Sequence, residues 1–150
     1  HQEVMNYLVW YGYSENLRVL EPYIQEILDM GYEITIISDK SPSWILYGDV
    51  QKQITFKIWH PQTVNEQIIK ADCVFVGKDK NDYLKKWKSN NRALTGWALK
   101  MPVAFDLDDL HKLQLKKARI ENAEKGYLTV RKKYNIKLSV AEYKNLIDTL

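Results

Sequence analysis

The 150-residue sequence predicts an α/β fold in which one parallel sheet lies between two helical layers. Three observations carry this. Apolar periodicity switches repeatedly between the two-residue repeat of strands and the 3.6-residue repeat of helices. The short apolar runs are joined by helical patterns of roughly 10 to 15 residues, the length a crossover between parallel strands needs. The composition, 45% apolar and 12% aromatic with four prolines, suits one packed core and not a disordered chain.

The first strand is Tyr7-Leu8-Val9-Trp10-Tyr11, a β-branched and aromatic run that stops at Gly12. After a loop over 12–16, Leu20, Tyr23, Ile24, Ile27 and Leu28 recur at helical spacing, with Asn16 as cap, Pro22 in an early turn and Gly31 as the stop. Residues 33–39 form a second strand, apolar enough to be buried on both faces as in parallel sheets. Segment 40–53, broken by Pro42 and Gly48, is a connection with one helical turn at 44–47. A third strand over 54–59 alternates with period two and ends at His60-Pro61, before a helix with Thr63 as cap and Glu66 three residues on. Strands at 71–77 and 102–105 flank a helix over 91–99. The tail is helical, with apolar Leu110, Leu113, Ile120, Leu128 and Val130 among many charges, and Ser139 caps a last helix. Right-handed crossovers then give a Rossmann-like three-layer sandwich with about five parallel strands and a helical C-terminal tail. The whole span, 1–150, reads as a single domain.

Composition also excludes functions. No apolar stretch approaches the roughly 18 residues of a spanning helix, and residues 1–6 hold no basic region followed by an apolar run, so a cytoplasmic location is expected. The lone Cys73 rules out an intramolecular disulfide or a cysteine-based zinc module and fits a reducing compartment, with the residue itself in the core. A first residue of His leads us to expect a longer parent protein.

Ligands of such sheets bind beyond the carboxyl ends of the strands, and the candidate chemistry lies in those loops. Gly12-Tyr13-Ser14-Glu15-Asn16 joins the first strand to the first helix, where free N–H groups favour a phosphate. It lacks the three-glycine dinucleotide fingerprint and the Gly-Lys-Ser/Thr of a P-loop, and a plain tight turn reads the same residues as well. Segment 78–92 carries Lys78, Lys80, Lys85, Lys86, Lys88 and Arg92 against Asp79 and Asp82, a local balance of +4, and runs with Asn90 and Asn91 into a helix N-terminus. Cations, amides and a helix dipole together suit a diphosphate, while a solvated basic loop is the alternative. Asp106-Leu107-Asp108-Asp109 has the spacing of a divalent-metal site, but its place between strand and helix favours capping, and no metal is assigned. Trp59-His60 at the end of the third strand offers an aromatic face and a titratable ring to a base or sugar. His111 reads as surface. Segment 112–133 holds eight Lys or Arg against two Glu, which reads as a solvated face, with anionic lipid or nucleic acid as the partner it would otherwise attract. Net charge is only +3, and nucleic-acid binding is not expected.

Taken in order, Val9-Trp10-Tyr11-Gly12-x-x-x-Asn16-Leu17-x-x-Leu20, Ile34-Thr35-Ile36-Ile37-Ser38-Asp39, Ala71-Asp72-Cys73-Val74-Phe75-Val76, and Lys88-Ser89-Asn90-Asn91-Arg92 followed by Ala98-x-x-x-Pro102-Val103 form a pattern. It resembles the C-terminal, donor-binding half of GT-B glycosyltransferases of the group 4 type, which build bacterial surface polysaccharides. The likeness covers nearly the whole chain. It implies a domain that binds a nucleotide sugar or nucleoside diphosphate, with no cofactor and no obligatory metal. Gly12, Ser14 and Asn16 would supply the first diphosphate loop, and Lys88, Asn90, Asn91 and Arg92 the second. Thr95 stands where many relatives hold the ribose with a glutamate, and the companion glutamate has no counterpart. Lys100 stands where a glycine usually precedes the x-Pro-Val strand. The resemblance places a glycan or lipid-linked acceptor on an N-terminal half that 150 residues leave no room for. The expectation is thus a donor domain excised from, or lacking, that half, with peripheral contact at the inner face of the membrane. The alternative is a Rossmann-like nucleotide-binding or regulatory module without catalysis. No catalytic residue is assigned.

Overall fold

The computed structural model describes residues 2–42, 52–78 and 91–134, together with Val140 and Lys144. Five strands, β1 (Tyr7–Tyr11), β2 (Glu33–Ser38), β3 (Ile54–Ile58), β4 (Cys73–Phe75) and β5 (Val103–Ala104), form one sheet in the order β3-β2-β1-β4-β5. Every neighbouring pair is parallel, with Val9 opposite Thr35 on one side and Val74 on the other. The helices are α1 (Glu21–Asp29), α2 (Val64–Ile68), α3 (Asn91–Ala98), α4 (Leu107–Lys112) and α5 (Lys116–Lys133). This is the Rossmann-like sandwich that the periodicity predicts.

Side-chain alternation along the strands sorts the core into two layers. Leu8 and Trp10 of β1, Ile34 and Ile36 of β2, and Cys73 and Phe75 of β4 face α1 and α4. Val9, Tyr11, Ile37, Val74 and Val103 face α2 and α3. Tyr23, Ile24, Ile27 and Leu28 of α1 are all buried, and each side chain of this size stabilises the fold by about 1.5–3 kcal/mol. That burial, and not a side-chain cap, secures α1, whose N-cap Leu20 makes no capping bond.

Some local expectations are corrected. Asn16 does not cap α1 but lies inside a 3-10 turn, Ser14–Val19, because burying Leu17 and Val19 draws the chain against the core before the helix begins. Pro22 does sit in the first turn of α1, and Gly31, at φ +84°, follows its end. Thr63 is the N-cap of α2 but makes no side-chain capping bond. The apolar Ile120 and Leu128 face outward, and α5 instead buries Arg119, Ala123 and Gly126. The cause is close packing on α3, which admits only small side chains, since a Cβ on Gly126 would lie 2.1 Å from Trp97 Cδ1. Arg119 also departs from the solvated basic face. Its buried guanidinium donates to the carbonyls of Leu113 (2.7 Å), Gln114 (2.7 Å), Gln2 (2.6 Å) and Glu3 (3.1 Å), tying the segment before β1 to the α4–α5 turn. The helical turn expected at 44–47 and the basic residues of 79–90 lie outside the described residues, as does the helix after Ser139 apart from the exposed Val140 and Lys144. None of the described helices is long and apolar enough to cross a membrane.

Candidate functional site at the carboxyl edge of the sheet

The chain runs from β1 outward to β2 and β3, then crosses back to β4 on the other side of β1. Strand order therefore reverses between β1 and β4, and at such a switch point the loops diverge and leave a crevice. Two glycines flank it. Gly12, at φ +155°, closes β1, and a Cβ there would lie 3.2 Å from the Trp10 ring and 3.6 Å from Arg92 Cδ. Gly77, at φ +73°, closes β4, and its Cβ would come within 3.0 Å of the Val19 carbonyl oxygen. Both positions combine a backbone conformation that suits glycine with little room for a side chain.

Arg92, from the first turn of α3, reaches between them. Its guanidinium carbon lies 5.0 Å from the centre of the Trp10 ring, and Nη1 donates to the Val76 carbonyl at 3.3 Å. The Tyr11 hydroxyl donates to the Arg92 carbonyl, fixing the start of α3 to the end of β1. Burial holds the Arg92 pKa below its ordinary value and pushes that of Tyr11 up. Asn91 is exposed at the first position of α3. Lys88 and Asn90 lie outside the described residues. Lys78 is committed elsewhere: its ammonium meets Asp106 at 2.7 Å and lies 5.7 Å from the Phe105 ring centre, and its carbonyl accepts from Tyr23.

A second feature adjoins the crevice. Tyr11, Gly12, Tyr13, Asp39 and Trp59 line a cavity of about 130 Å³ across the ends of β1, β2 and β3. Tyr13 and Trp59 are well exposed there, at 72% and 44%. Asp39 is exposed but fixed: Oδ1 accepts from the Ser14 N–H (2.7 Å) and Ser38 Oγ (3.1 Å), and Oδ2 accepts from Ser14 Oγ (3.2 Å). These bonds, led by the Ser14 N–H, hold its carboxyl below the ordinary carboxylate pKa. Asn16 donates its N–H to the Tyr13 carbonyl at 2.9 Å and stabilises the turn beneath Tyr13. His60, next to Trp59, is exposed, and its Nδ1 accepts from the Gln62 N–H at 3.3 Å. Thr95 lies partly buried on α3.

The structure thus brings Gly12, Ser14 and Arg92 to one edge and adds Tyr13 and Asp39, which the sequence reading passed over as site residues. A signal for Asp39 existed, because a carboxylate ending the second strand is where dinucleotide-binding sheets hold a ribose. The aspartates after β5 cap, as expected. Asp106 is the N-cap of α4 and accepts from the Asp109 N–H at 2.9 Å, while Asp109 accepts in return from the Phe105 N–H at 3.2 Å. Cys73 is a core residue whose thiol burial pushes up to about 12. Compared with models of known protein families, with curated proteins and with solved structures, the chain gives no significant match in any of the three.

Proposed function

We propose that this domain binds the diphosphate of a nucleotide sugar at the β1–β4 crevice and serves as the donor domain of a GT-B glycosyltransferase in glycan or polysaccharide synthesis. The observation that carries the reading is the position of Arg92. A guanidinium presents a planar fork of donors that matches phosphate oxygens, and this one lies at the switch point beside two glycine-closed strand ends and a helix N-terminus. The cation–π contact with Trp10 and the bond to the Val76 carbonyl restrain the guanidinium, which lowers the ordering cost of gripping a ligand. In glycosyl transfer the leaving diphosphate gains negative charge as the bond to the sugar breaks, and a fixed cation and helix dipole stabilise that charge without a metal. Acceptor and base would come from a further domain.

Calorimetric titration of the chain with UDP, GDP, ADP and CMP tests the reading. Selective binding is expected, weakened at least roughly tenfold in Arg92→Lys, which keeps the charge and loses the fork, and abolished in Arg92→Ala. Unchanged affinity in both variants would refute the site.

One observation favours a second reading, a nucleotide-binding module without catalysis: Thr95, at the place of the resembled family's ribose glutamate, has no carboxylate to offer. An assay of sugar transfer by the product of the complete reading frame separates the two.

A further inference from the structure

We propose that Asp39 and Ser14 together recognise the vicinal diol of a ribose, with Tyr13 and Trp59 providing the flat faces against which the nucleoside lies. The inference rests on the donor-binding reading only for the direction of the diphosphate, which would run from this cavity toward Arg92.

The argument begins with the oxygens. Asp39 Oδ1 already accepts two hydrogen bonds, from the Ser14 N–H and from Ser38 Oγ, and its two lone pairs are filled. Oδ2 accepts one, from Ser14 Oγ, and has capacity for another. Ser14 Oγ, having donated its proton, keeps its own lone pairs as acceptors. Two acceptors therefore stand side by side, 3.2 Å apart, a separation comparable with that of the two oxygens of a cis diol. Each can take a hydroxyl proton, and the carboxylate bond is the stronger because its acceptor is charged. The Ser14 N–H and the Ser38 hydroxyl hold the carboxylate in place before any ligand arrives.

The walls agree with that ligand. Tyr13 and Trp59 are large aromatics left exposed at the rim of a cavity whose remaining lining is Tyr11, Gly12 and Asp39. A base or the apolar face of a sugar ring stacks on such surfaces. The topology also places the pair suitably. Asp39 lies just past the end of β2, beside β1, as the ribose carboxylate of a dinucleotide-binding sheet does, although the glycine fingerprint of such sheets is missing here.

The test titrates the chain with ADP, GDP, UDP and CDP, with their 2′-deoxy forms, with the four unphosphorylated ribonucleosides and with inorganic pyrophosphate. For the best ribonucleotide, removal of the 2′-hydroxyl should weaken wild-type binding roughly tenfold, the scale of a hydrogen bond to a charged group. Asp39→Asn should cause a similar loss for the ribonucleotide, no further loss for its deoxy form, and none for pyrophosphate. Ser14→Ala should give a smaller loss of the same kind. Equal wild-type affinity for ribo and deoxy forms would overturn the proposal without any variant. So would an Asp39→Asn loss shared by pyrophosphate, or a failure of every nucleotide and nucleoside to bind. Diol-dependent nucleoside binding with no response to pyrophosphate and no effect of Arg92→Ala would instead sink the diphosphate site and leave this one standing.

Discussion

The side-chain amide of Asn122, on α5, pairs with both backbone groups of Val103, on β5. Its Oδ1 accepts from the Val103 N–H at 2.9 Å and its Nδ2 donates to the Val103 carbonyl at 3.3 Å. Because β5 is the last strand of the described sheet, the helix supplies what a sixth strand would, and an open edge is closed by one residue. Oδ1 also accepts from Trp97 Nε1 at 3.4 Å, which ties α3 into the same contact. Asn122→Ala should cost about 2 kcal/mol, since it leaves the buried Val103 groups without partners. Denaturant unfolding measures this, and a loss below about 0.5 kcal/mol would show that water replaces the amide.

The packing of α5 on α3 inverts the usual effect of a helical glycine. Alanine in place of glycine inside a helix normally stabilises by about 0.5–1 kcal/mol. At Gly126 the added carbon would meet Trp97 at 2.1 Å from Cδ1 and 2.2 Å from Cγ, so either the indole or the helix must shift. Overpacking of this kind costs about 1–3 kcal/mol, and Gly126→Ala should therefore be destabilising overall. Thermal unfolding of Trp97→Ala with and without Gly126→Ala checks the cause, because with no Cγ or ring to meet the added carbon, Gly126→Ala should no longer destabilise in that background.

Lys100 is the one non-glycine residue with positive φ, +57°, among the described positions. It is also the position where the family that the sequence resembles usually has glycine. The turn between α3 and β5 keeps its left-handed geometry, and the lysine adopts it, with Nζ 4.8 Å from the centre of the Tyr127 ring. Left-handed backbone costs an L-residue about 1–2 kcal/mol, and the cation–π contact returns about 0.5–1 kcal/mol at an exposed site. Lys100→Gly should consequently change stability by less than about 1 kcal/mol, the relieved strain being offset by the lost cation–π contact together with about 0.5–1 kcal/mol for glycine's greater chain entropy. Lys100→Val should lower it by more than about 1 kcal/mol, because a β-branched residue is the worst suited to this region. The two melting temperatures, compared with wild type, decide it.

These residues show what was legible in the sequence and why. Strand positions were readable because each is a short apolar run closed by a turn residue, as at Gly12 and Gly77, and both the period and the punctuation are local. That the strands run parallel followed from crossover length, whereas their order, β3-β2-β1-β4-β5, emerged only in the folded chain. The face that α5 buries was not readable, because Ile120 and Leu128 look like core residues until the close approach of Trp97 shows that only Ala123 and Gly126 fit. Arg119 likewise looks solvated in a basic run, and its burial depends on carbonyls from residues 2 and 3, more than 110 positions away. At the candidate site the loops could be named from strand ends. The link between Ser14 and Asp39 could not, since it joins two strands' ends across 25 residues.

The ends of β4 and β5 are joined by Lys78 and Asp106, and the pH dependence of that pair has a definite sign. The Lys78 hydrogen bond holds Asp106 below its ordinary value of 3.8, and the same bond holds Lys78 above 10.5. A depressed carboxylate contributes stability above its unfolded pKa and loses it as pH falls through the folded one; a raised lysine contributes below its unfolded pKa and loses it as pH rises through the folded one. The pair thus stabilises across a plateau between about 4 and about 10 and fades at both ends. Lys78 is half exposed, at 51%, so the contribution is only about 0.5 kcal/mol and shrinks with salt. Asp106 also caps α4, but asparagine caps almost as well. Asp106→Asn should therefore cost about 0.5 kcal/mol at neutral pH and almost nothing near pH 2, whereas Asp106→Ala should cost about 1 kcal/mol more than Asp106→Asn at neutral pH. Denaturant unfolding of both variants across pH makes the separation, and equal losses for the two would show that the ion pair, and not the cap, is what Asp106 contributes.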